Sequence, residues 1–249
     1  MENSNNPSQN LQELIFSLLL PIVALTKLSQ TGDEIWHLGP EVGLAVALAL
    51  PIGYGVYHFI KTRKLSMMSM LGLVSVLATG LITIYLWNED GSIKPEAPLL
   101  FGVKEAIIPF ILGSAILLNS QLFKSLFYQP ALFNIKLIEE QVAEKKKQVG
   151  YNRALKISVM IFAGSFFISA TLNWFVAQYF LSDIDYTASD SLALYNAAIA
   201  KITGWGFVVI GVPAIIISCL ALWYLIQQLK KLTGLSIDEV LHAQESHKK

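Results

Sequence analysis

The stretch FGVKEAIIPFILGSAILLNSQLF, which runs from Phe101 to Phe123, decides the fold of this chain. Its 23 residues include two charged side chains, Lys104 and Glu105, and both lie near one end. An apolar run of more than about 18 residues is typical of a helix that crosses a lipid bilayer. We therefore predict a transmembrane helix here, with its charged pair just inside one membrane interface.

The composition of the whole chain is that of an integral membrane protein. Hydrophobic residues make up 54% of it and charged residues 14%, whereas about 25% of residues are charged in a typical soluble domain. Backbone polar groups need internal partners in hydrocarbon, so a spanning chain forms either helices or a closed barrel. The apolar runs are continuous and do not alternate, which favours an all-α polytopic bundle in contact with lipid.

Six apolar runs are predicted to cross the bilayer. In chain order they are Leu14 to Thr26, Val42 to Ile60, Leu65 to Trp87, Leu99 to Phe123, Ile157 to Leu181 and Ile202 to Leu229. The first run is the weakest, because its 13 residues are interrupted by Pro21. A re-entrant or interfacial segment fits that length as well, so a bundle of five spans is the alternative.

The spans are predicted to form three helical hairpins in a row. The third and fourth spans share a layout with the fifth and sixth: a long uncharged helix, an acidic outer loop, and a lysine that opens the return helix. Lys104 and Lys201 occupy that lysine position. The loop before Lys201 is predicted to extend from Ser182 to Ala200. Because each hairpin begins on the same side, the repeats would be parallel and not inverted.

The polar segments complete the predicted organisation. Residues 1–12 are a disordered tail, 13–127 hold spans one to four, 128–156 form an amphipathic helix and linker, 157–229 hold spans five and six, and 230–249 form a tail. Pro130 and Gly150 are the predicted start and stop of the amphipathic helix. This helix is expected either to lie on the membrane surface or to pack on its own protein. In the tail, Ser236 and Glu239 form a capping-box pattern for a short helix, Ile237 to Ala243.

The distribution of lysine and arginine predicts the orientation. Fourteen of the 18 lie in the turn after span two, the connection after span four and the C-terminal tail. The other side holds Lys27, Lys94, Lys104 and Lys201. The positive-inside rule places the first group in the cytoplasm. Six spans put both termini in the cytoplasm, whereas five spans put the N-terminus outside; the predicted location is the bacterial inner membrane.

The second half of the chain, about Leu65 to Tyr224, resembles the bacterial intracellular septation protein A family and related uncharacterised multi-spanning inner-membrane proteins. The resemblance is carried by short motifs in the last three spans. They are Val103-Lys104 before a helix with Gly113, Ser120-Gln-Leu-Phe-Lys124, Phe166-Phe167-Ile168 ahead of Asn173, and Lys201 three residues before Gly204. The resemblance implies a role in envelope maintenance or septation through contacts with other membrane proteins, and it supplies no catalytic residues.

Four polar residues within the spans form the candidate intramembrane site: Lys104, Glu105, Asn173 and Lys201. Ionisable groups at membrane depth are costly and often functional. Adjacent helical positions point about 100° apart, so we expect Lys104 and Glu105 not to face each other. Lys104 and Lys201 would then snorkel to water or meet Glu105 at the outer mouth of the bundle. Asn173 is expected to hydrogen-bond across helices.

Several classes of function are not indicated. The net charge is zero, which indicates no nucleic-acid partner. Cys219 is the single cysteine, and the four histidines are scattered, so neither a metal site nor a cofactor is predicted. No catalytic motif is found. We therefore predict a non-enzymatic protein that organises other membrane proteins; the alternative is a small-solute transporter or channel-like carrier. The sequence leaves the oligomeric state open.

Overall fold

The computed structural model describes residues 15–30, 33–62, 67–88, 90–130 and 132–241, and these residues form an all-helical fold. The described part of the chain has no β-strand; isolated bridges pair Trp87 with Ile93 and Phe133 with Leu241. The predicted helical class is therefore confirmed. The tail predicted for residues 1–12 and the last part of the C-terminal tail, from residue 242, lie outside the described residues.

The helices follow the apolar runs of the sequence. A π turn, Ile15–Leu19, leads into α1 (Leu20–Val23), and a second π turn, Ala24–Leu28, follows it. The other helices are α2 (Pro40–Thr62), α3 (Met67–Leu86), α4 (Ala97–Leu118), α5 (Ser120–Leu126), α6 (Ile135–Glu144), α7 (Gln148–Leu181), α8 (Ser191–Val209), α9 (Gly211–Thr233) and α10 (Ile237–Val240).

Among the residues that the structure describes, four helical runs are long and apolar enough to cross a membrane. They are Pro40–Lys61, Ala97–Leu118, Gln148–Leu181 and Ser191–Thr233. A fifth apolar helix, Val74–Leu86, is shorter. The helices thus indicate a membrane protein with at least one crossing. The number of six crossings remains a prediction.

The loop predicted from Ser182 to Ala200 is wrong in its second half. The loop ends at Asp190, and α8 begins at Ser191. Leu192, Tyr195 and Ile199 follow one another at helical spacing, and all three are buried. The acidic residues that suggested a loop all precede the helix, where the positive end of a helix dipole tolerates negative charge.

Two predicted spans are interrupted. The sixth is divided at Ile210, between α8 and α9. Pro213 explains this break, because it has no N–H to donate to the carbonyl four residues earlier. The fourth ends as a helix at Leu118, and Asn119 then caps α5 by accepting a hydrogen bond from the Gln121 backbone N–H at 3.0 Å.

The chain divides into two compact units, and each is described by itself. The first comprises Met1–Ala106 and Leu172–Val209, and the second comprises Ile107–Thr171 and Ile210–Lys249. In the first unit, α2 approaches the segment that precedes it at Gly43, which lies against Ser29. A Cβ on Gly43 would lie 2.6 Å from the Cα of Ser29, so only glycine fits there.

The second unit is built on an apolar and aromatic core. Phe123 of α5 lies edge-on to Phe162 of α7, with ring centroids 5.7 Å apart. Leu225 and Leu229 of α9 complete the same cluster, and all four side chains are buried. The cluster continues into the segment that connects α5 to α7, so it extends beyond the apolar spans.

The amphipathic helix of this unit, α6, packs on its own protein. Its apolar residues Ile138 and Val142 are fully buried in the core of the unit, and α6 contacts α9 and α10. This arrangement favours the second of the two predicted alternatives over a helix lying on the membrane. Asn134 caps the start of α6, so the predicted start at Pro130 is wrong.

Gly150, the predicted stop of α6, lies within α7 instead, because α6 ends at Glu144. A Cβ at Gly150 would meet Leu232 Cδ2 at 2.7 Å. This glycine therefore allows α7 to pack closely on the end of α9. Downstream, the predicted capping box is confirmed, since Ser236 and Glu239 cap α10 reciprocally, although that helix ends at Val240.

Candidate functional site

Lys104 lies in α4 and is a buried cation of the first unit, with 8% of the residue exposed. Its Nζ donates a hydrogen bond to Thr79 Oγ1 of α3 at 2.8 Å and another to the Glu105 carboxylate. The ammonium also lies over the Phe101 ring, 4.6 Å from its centroid. A hydroxyl, a carboxylate and an aromatic face thus surround the charge, and each of them stabilises a cation.

The contact between Lys104 and Glu105 corrects the expectation that these side chains do not face each other. They form an ion pair although they are neighbours in the helix. The 100° between adjacent positions applies to the Cβ directions. A lysine stem has four methylenes, and it curves back along the helix surface to reach the carboxylate. Each charge of the pair is therefore neutralised by its neighbour within the span.

Two threonines of α3 provide the acceptors for this cluster. The Thr79 hydroxyl donates to the Ser75 carbonyl at 2.9 Å, which leaves its lone pairs for Lys104. One turn later, the Thr83 hydroxyl donates to the Thr79 carbonyl at 2.8 Å. Thr83 Oγ1 then lies 3.4 Å from the Tyr195 hydroxyl of α8. Because both threonine hydroxyls donate within α3, their lone pairs accept from Lys104 and Tyr195, and these contacts link α3 to α4 and α8.

Tyr195 and Phe101 close the apolar side of the cluster. Both are buried, and their rings meet edge to face with centroids 6.4 Å apart. Phe101 therefore contacts Tyr195 with its ring while Lys104 lies over the same ring. The cluster joins three helices, α3, α4 and α8, through one buried charge and one buried phenol.

A second group of buried polar contacts is formed by the residue that follows Tyr195 in α8. Asn196 is fully buried, and its Nδ2 donates to the Pro40 carbonyl at 2.9 Å and to Ser29 Oγ at 3.3 Å. Its Oδ1 has no hydrogen-bond partner among the described residues. At the start of the same helix, Ser191 Oγ accepts a hydrogen bond from the Ile93 backbone N–H at 3.0 Å. The first turns of α8 thus link several segments of the first unit.

The structure brings together two of the four predicted site residues. Lys104 and Glu105 form the buried pair, whereas Lys201 is exposed on α8 and has no hydrogen bond or ion pair with any described residue. Asn173 is partly buried in the part of α7 that belongs to the first unit. Lys201 therefore fits the prediction that it snorkels, and the cluster around Lys104 forms without it.

Sequence reasoning missed the partners of Lys104 on α3 and α8. Thr79 and Thr83 are four residues apart, a spacing that places them on one face of an otherwise apolar helix. Tyr195 and Asn196 are the polar residues of the apolar run from Leu192 to Ala200. Both signals are present in the sequence. Tyr195 and Asn196 fall within residues 182–200, however, which are predicted to form a loop, so they are not predicted as helical partners.

Acidic residues in the loops before α4 and α8 accept hydrogen bonds within turns. Asp185 accepts hydrogen bonds from the backbone N–H and the hydroxyl of Thr187, at 3.0 and 2.6 Å. The hydroxyl of Thr187, followed by its backbone N–H, lowers the pKa of the Asp185 carboxyl below its ordinary value of 3.8. Ser92 lowers the pKa of Asp90 in the same way. Within the described residues no group of three or more His, Cys, Asp or Glu side chains is placed to hold a metal ion.

Comparison with known proteins adds no relative. No protein-family model, no curated protein and no solved structure matches the chain.

Proposed function

We propose that this chain is a non-enzymatic, multi-pass protein of the bacterial inner membrane that acts by contacting other membrane proteins. The proposal extends to six spans with both termini in the cytoplasm and, from the family resemblance, to partners in the envelope or septation machinery. The single observation that carries it is the construction of α6, which has one face fixed in a core and another that is charged and exposed.

The inner face of α6 is held rigidly. Ile138 and Val142 are buried beside Phe133, Leu229 and Val240, none of which is exposed to solvent by more than a trace. Lys145, which follows the helix, donates a hydrogen bond to the Thr233 carbonyl at the end of α9. A helix anchored in this way presents its outer face in one defined orientation, which lowers the entropic cost of binding a partner.

The outer face of α6 bears exposed charges of both signs. They are Lys136, Glu139, Glu140 and Glu144, followed by Lys145, Lys146 and Lys147. Mixed charge on a rigid surface gives specificity and speeds the encounter with a complementary partner.

Site-specific photo-crosslinking tests this proposal. A photoreactive amino acid replaces Glu140 in the full-length protein, crosslinking is carried out in native membranes, and captured proteins are identified by mass spectrometry. The matched control carries the same photoreactive group at Ser189, which is exposed in the outer loop. We expect a second membrane protein to be captured reproducibly from position 140 and not from position 189. Capture of no membrane protein from position 140, or of the same set from both, would contradict the proposal.

Transport is the second candidate function, and the buried Lys104–Glu105 pair favours it. An ion pair at membrane depth is a common feature of ion pathways. If the chain conducts protons or small cations, proteoliposomes loaded with a pH-sensitive dye will show a flux that Lys104→Ala abolishes at unchanged protein level. Lys201→Ala is the control for the loss of an exposed charge. Equal flux in wild type, both variants and empty vesicles removes the motivation for this candidate.

A further inference from the structure

The second unit carries a group of cations that the proposed function does not use. They lie where α5, α7 and α9 leave the apolar spans: Lys124, Arg153, Lys156, Lys230 and Lys231. Three of them, Arg153, Lys156 and Lys231, are exposed, and the other two are half-buried. The helices that bear them meet in one core, so the cations belong to one region of the unit.

The shared core indicates where these cations lie along the helices of the unit. Phe123, Ala154, Leu155 and Leu229 are all buried in the same cluster, and each has one of the cations as its immediate neighbour in sequence. Adjacent helical positions point about 100° apart. A cation next to a buried residue can therefore point away from the core, and Arg153, Lys156 and Lys231 do so, since all three are exposed.

This position along the helices corresponds to a membrane interface. The run of 25 uncharged residues from Ile157 to Leu181 follows directly after Lys156. At 1.5 Å per residue it is about 37 Å long, which exceeds the roughly 30 Å of a hydrocarbon core. The C-terminal end of α9 shows the same pattern, because Lys230 follows directly after an uncharged run that ends at Leu229. The cations thus begin where the apolar surface stops.

These cations lack partners within the described part of the protein. None of the five forms an ion pair or a side-chain hydrogen bond with a described residue; the two ion pairs found among those residues are Lys104–Glu105 and His37–Glu34. The carboxylates described in the second unit belong to α6 and α10, and Glu239 is used in the capping box. These unpaired cations at the ends of apolar helices are therefore available to a negative charge from outside the chain.

We propose that these five residues form a basic surface that binds the phosphate headgroups of anionic phospholipids, on the side predicted to be cytoplasmic. The anionic leaflet attracts basic residues close to a membrane surface. The guanidinium of Arg153 matches phosphate with two parallel N–H groups, while the lysines supply additional charge. The acyl chains of the same lipid lie along the apolar surface that begins at Ile157. This inference is independent of the partner proteins proposed above.

Native mass spectrometry of the purified full-length protein tests the proposal. The protein is delipidated in detergent and titrated with phosphatidylglycerol or with phosphatidylcholine of the same acyl chains. A triple variant combines Arg153→Gln, Lys156→Gln and Lys231→Gln. The matched control combines Lys136→Gln, Lys146→Gln and Lys147→Gln, which removes the same charge from exposed positions on or after α6. Thermal unfolding of each variant verifies that it is folded.

We expect wild type and control to retain phosphatidylglycerol in preference to phosphatidylcholine. The triple variant should lose that preference, with a decrease in apparent affinity of about tenfold or more, since each basic residue near the surface contributes substantially. Equal retention by the triple variant and the control would overturn the proposal. So would complete displacement of the lipid by inorganic phosphate, because the site would then recognise a free anion and not a lipid.

Discussion

The two units of this protein are stabilised by different kinds of contact. In the first, helices are linked by polar groups: Lys104 to Thr79, Tyr195 to Thr83, and Asn196 to the Pro40 carbonyl. In the second, the centre is a cluster of aromatic and aliphatic side chains. The first unit contains buried polar contacts between helices that the sequence suggests are surrounded by lipid. The second reaches into the segment predicted to be in water.

This difference follows from the two solvents. Lipid tails are as apolar as a leucine side chain, so burying leucine between helices gains little in a bilayer, and hydrogen bonds and close packing hold helices together there. In water the burial of apolar area is the dominant favourable contribution. We therefore expect large effects from core truncation in the second unit and smaller ones from single polar links in the first.

The largest effect is expected for Phe133→Ala. Phe133 is fully buried in the second unit, and its ring lies 5.0 Å from that of Tyr128. Truncation of a buried phenylalanine costs about 3–5 kcal/mol, because transfer and cavity terms add. Thermal unfolding in micelles, with hydrogen exchange of the α6 amides, measures this loss. Leu132→Ala is the control at a half-exposed neighbouring residue. An equal loss of stability in that variant would contradict a core that is stabilised by apolar burial.

The next effect is expected for the ion pair of the first unit. Glu105→Gln leaves the Lys104 ammonium buried without its carboxylate. Breaking a buried pair is strongly destabilising, but Glu105 is about a quarter exposed, so we expect a loss of about 2 kcal/mol after solvent screening. Adding Lys104→Met should restore most of that stability, since both charges are then absent.

A double-mutant cycle of the two single variants and the double variant measures this coupling. Lys201→Met is the matched control, because that lysine is exposed and unpaired among the described residues; we expect a change within about 0.5 kcal/mol. If the single losses at Lys104 and Glu105 simply add in the double variant, the pair is not coupled. The conclusion that polar contacts stabilise the first unit would then be wrong for the Lys104–Glu105 pair.

The sequence predicted more of the fold than of the site. Continuous apolar runs determine where helices lie, so α2 and α3 fall close to their predicted ranges. In contrast, α4 ends at Leu118, before the predicted Phe123, and α7 begins at Gln148, before the predicted Ile157. The errors occurred where two signals competed. Acidic residues before Ser191 suggested a long loop, although the apolar spacing from Leu192 onward indicated a helix. Gly150 suggests a helix stop in the sequence, whereas in the structure it lets α7 pack closely on Leu232.

The candidate site could be predicted only in part, for a physical reason. A sequence identifies charges that are unusual in an apolar run, and Lys104 and Glu105 were found in that way. It does not identify which hydroxyl from another helix will lie within hydrogen-bonding distance of a lysine, since that depends on helix rotation and depth. Thr79 and Tyr195 could be recognised as partners only when α3 and α8 were placed beside α4.

A smaller effect is expected for Tyr195→Phe. The Tyr195 hydroxyl is 3.4 Å from Thr83 Oγ1, a long contact, and its ring packing on Phe101 is kept in the variant. Interhelical hydrogen bonds in membranes contribute about 0.6 kcal/mol on average, and we expect a loss of that size. Tyr179→Phe, at an exposed position of α7, is the control. A loss comparable to that of Glu105→Gln would show that this phenol has a role beyond linking helices.

The smallest effect concerns a polar link at the edge of the second unit. The backbone N–H of Ser236, followed by its hydroxyl, lowers the pKa of the Glu239 carboxyl below its ordinary value of 4.5. A lowered pKa means that the ionised form stabilises the folded state, so this contribution is present above pH 4.5 and is lost as the pH falls through the lower, folded pKa.

An NMR titration of the Ser236 and Glu239 amides follows this loss. Glu239→Gln should remove the pH response of the α10 cap, because glutamine accepts the same hydrogen bonds without titrating. Asp238→Asn, one residue earlier and exposed, should leave the response unchanged. If instead Asp238→Asn removes it, the capping box does not control the end of α10. The position of α10 would then be fixed by the burial of Val240 in the apolar core of the second unit.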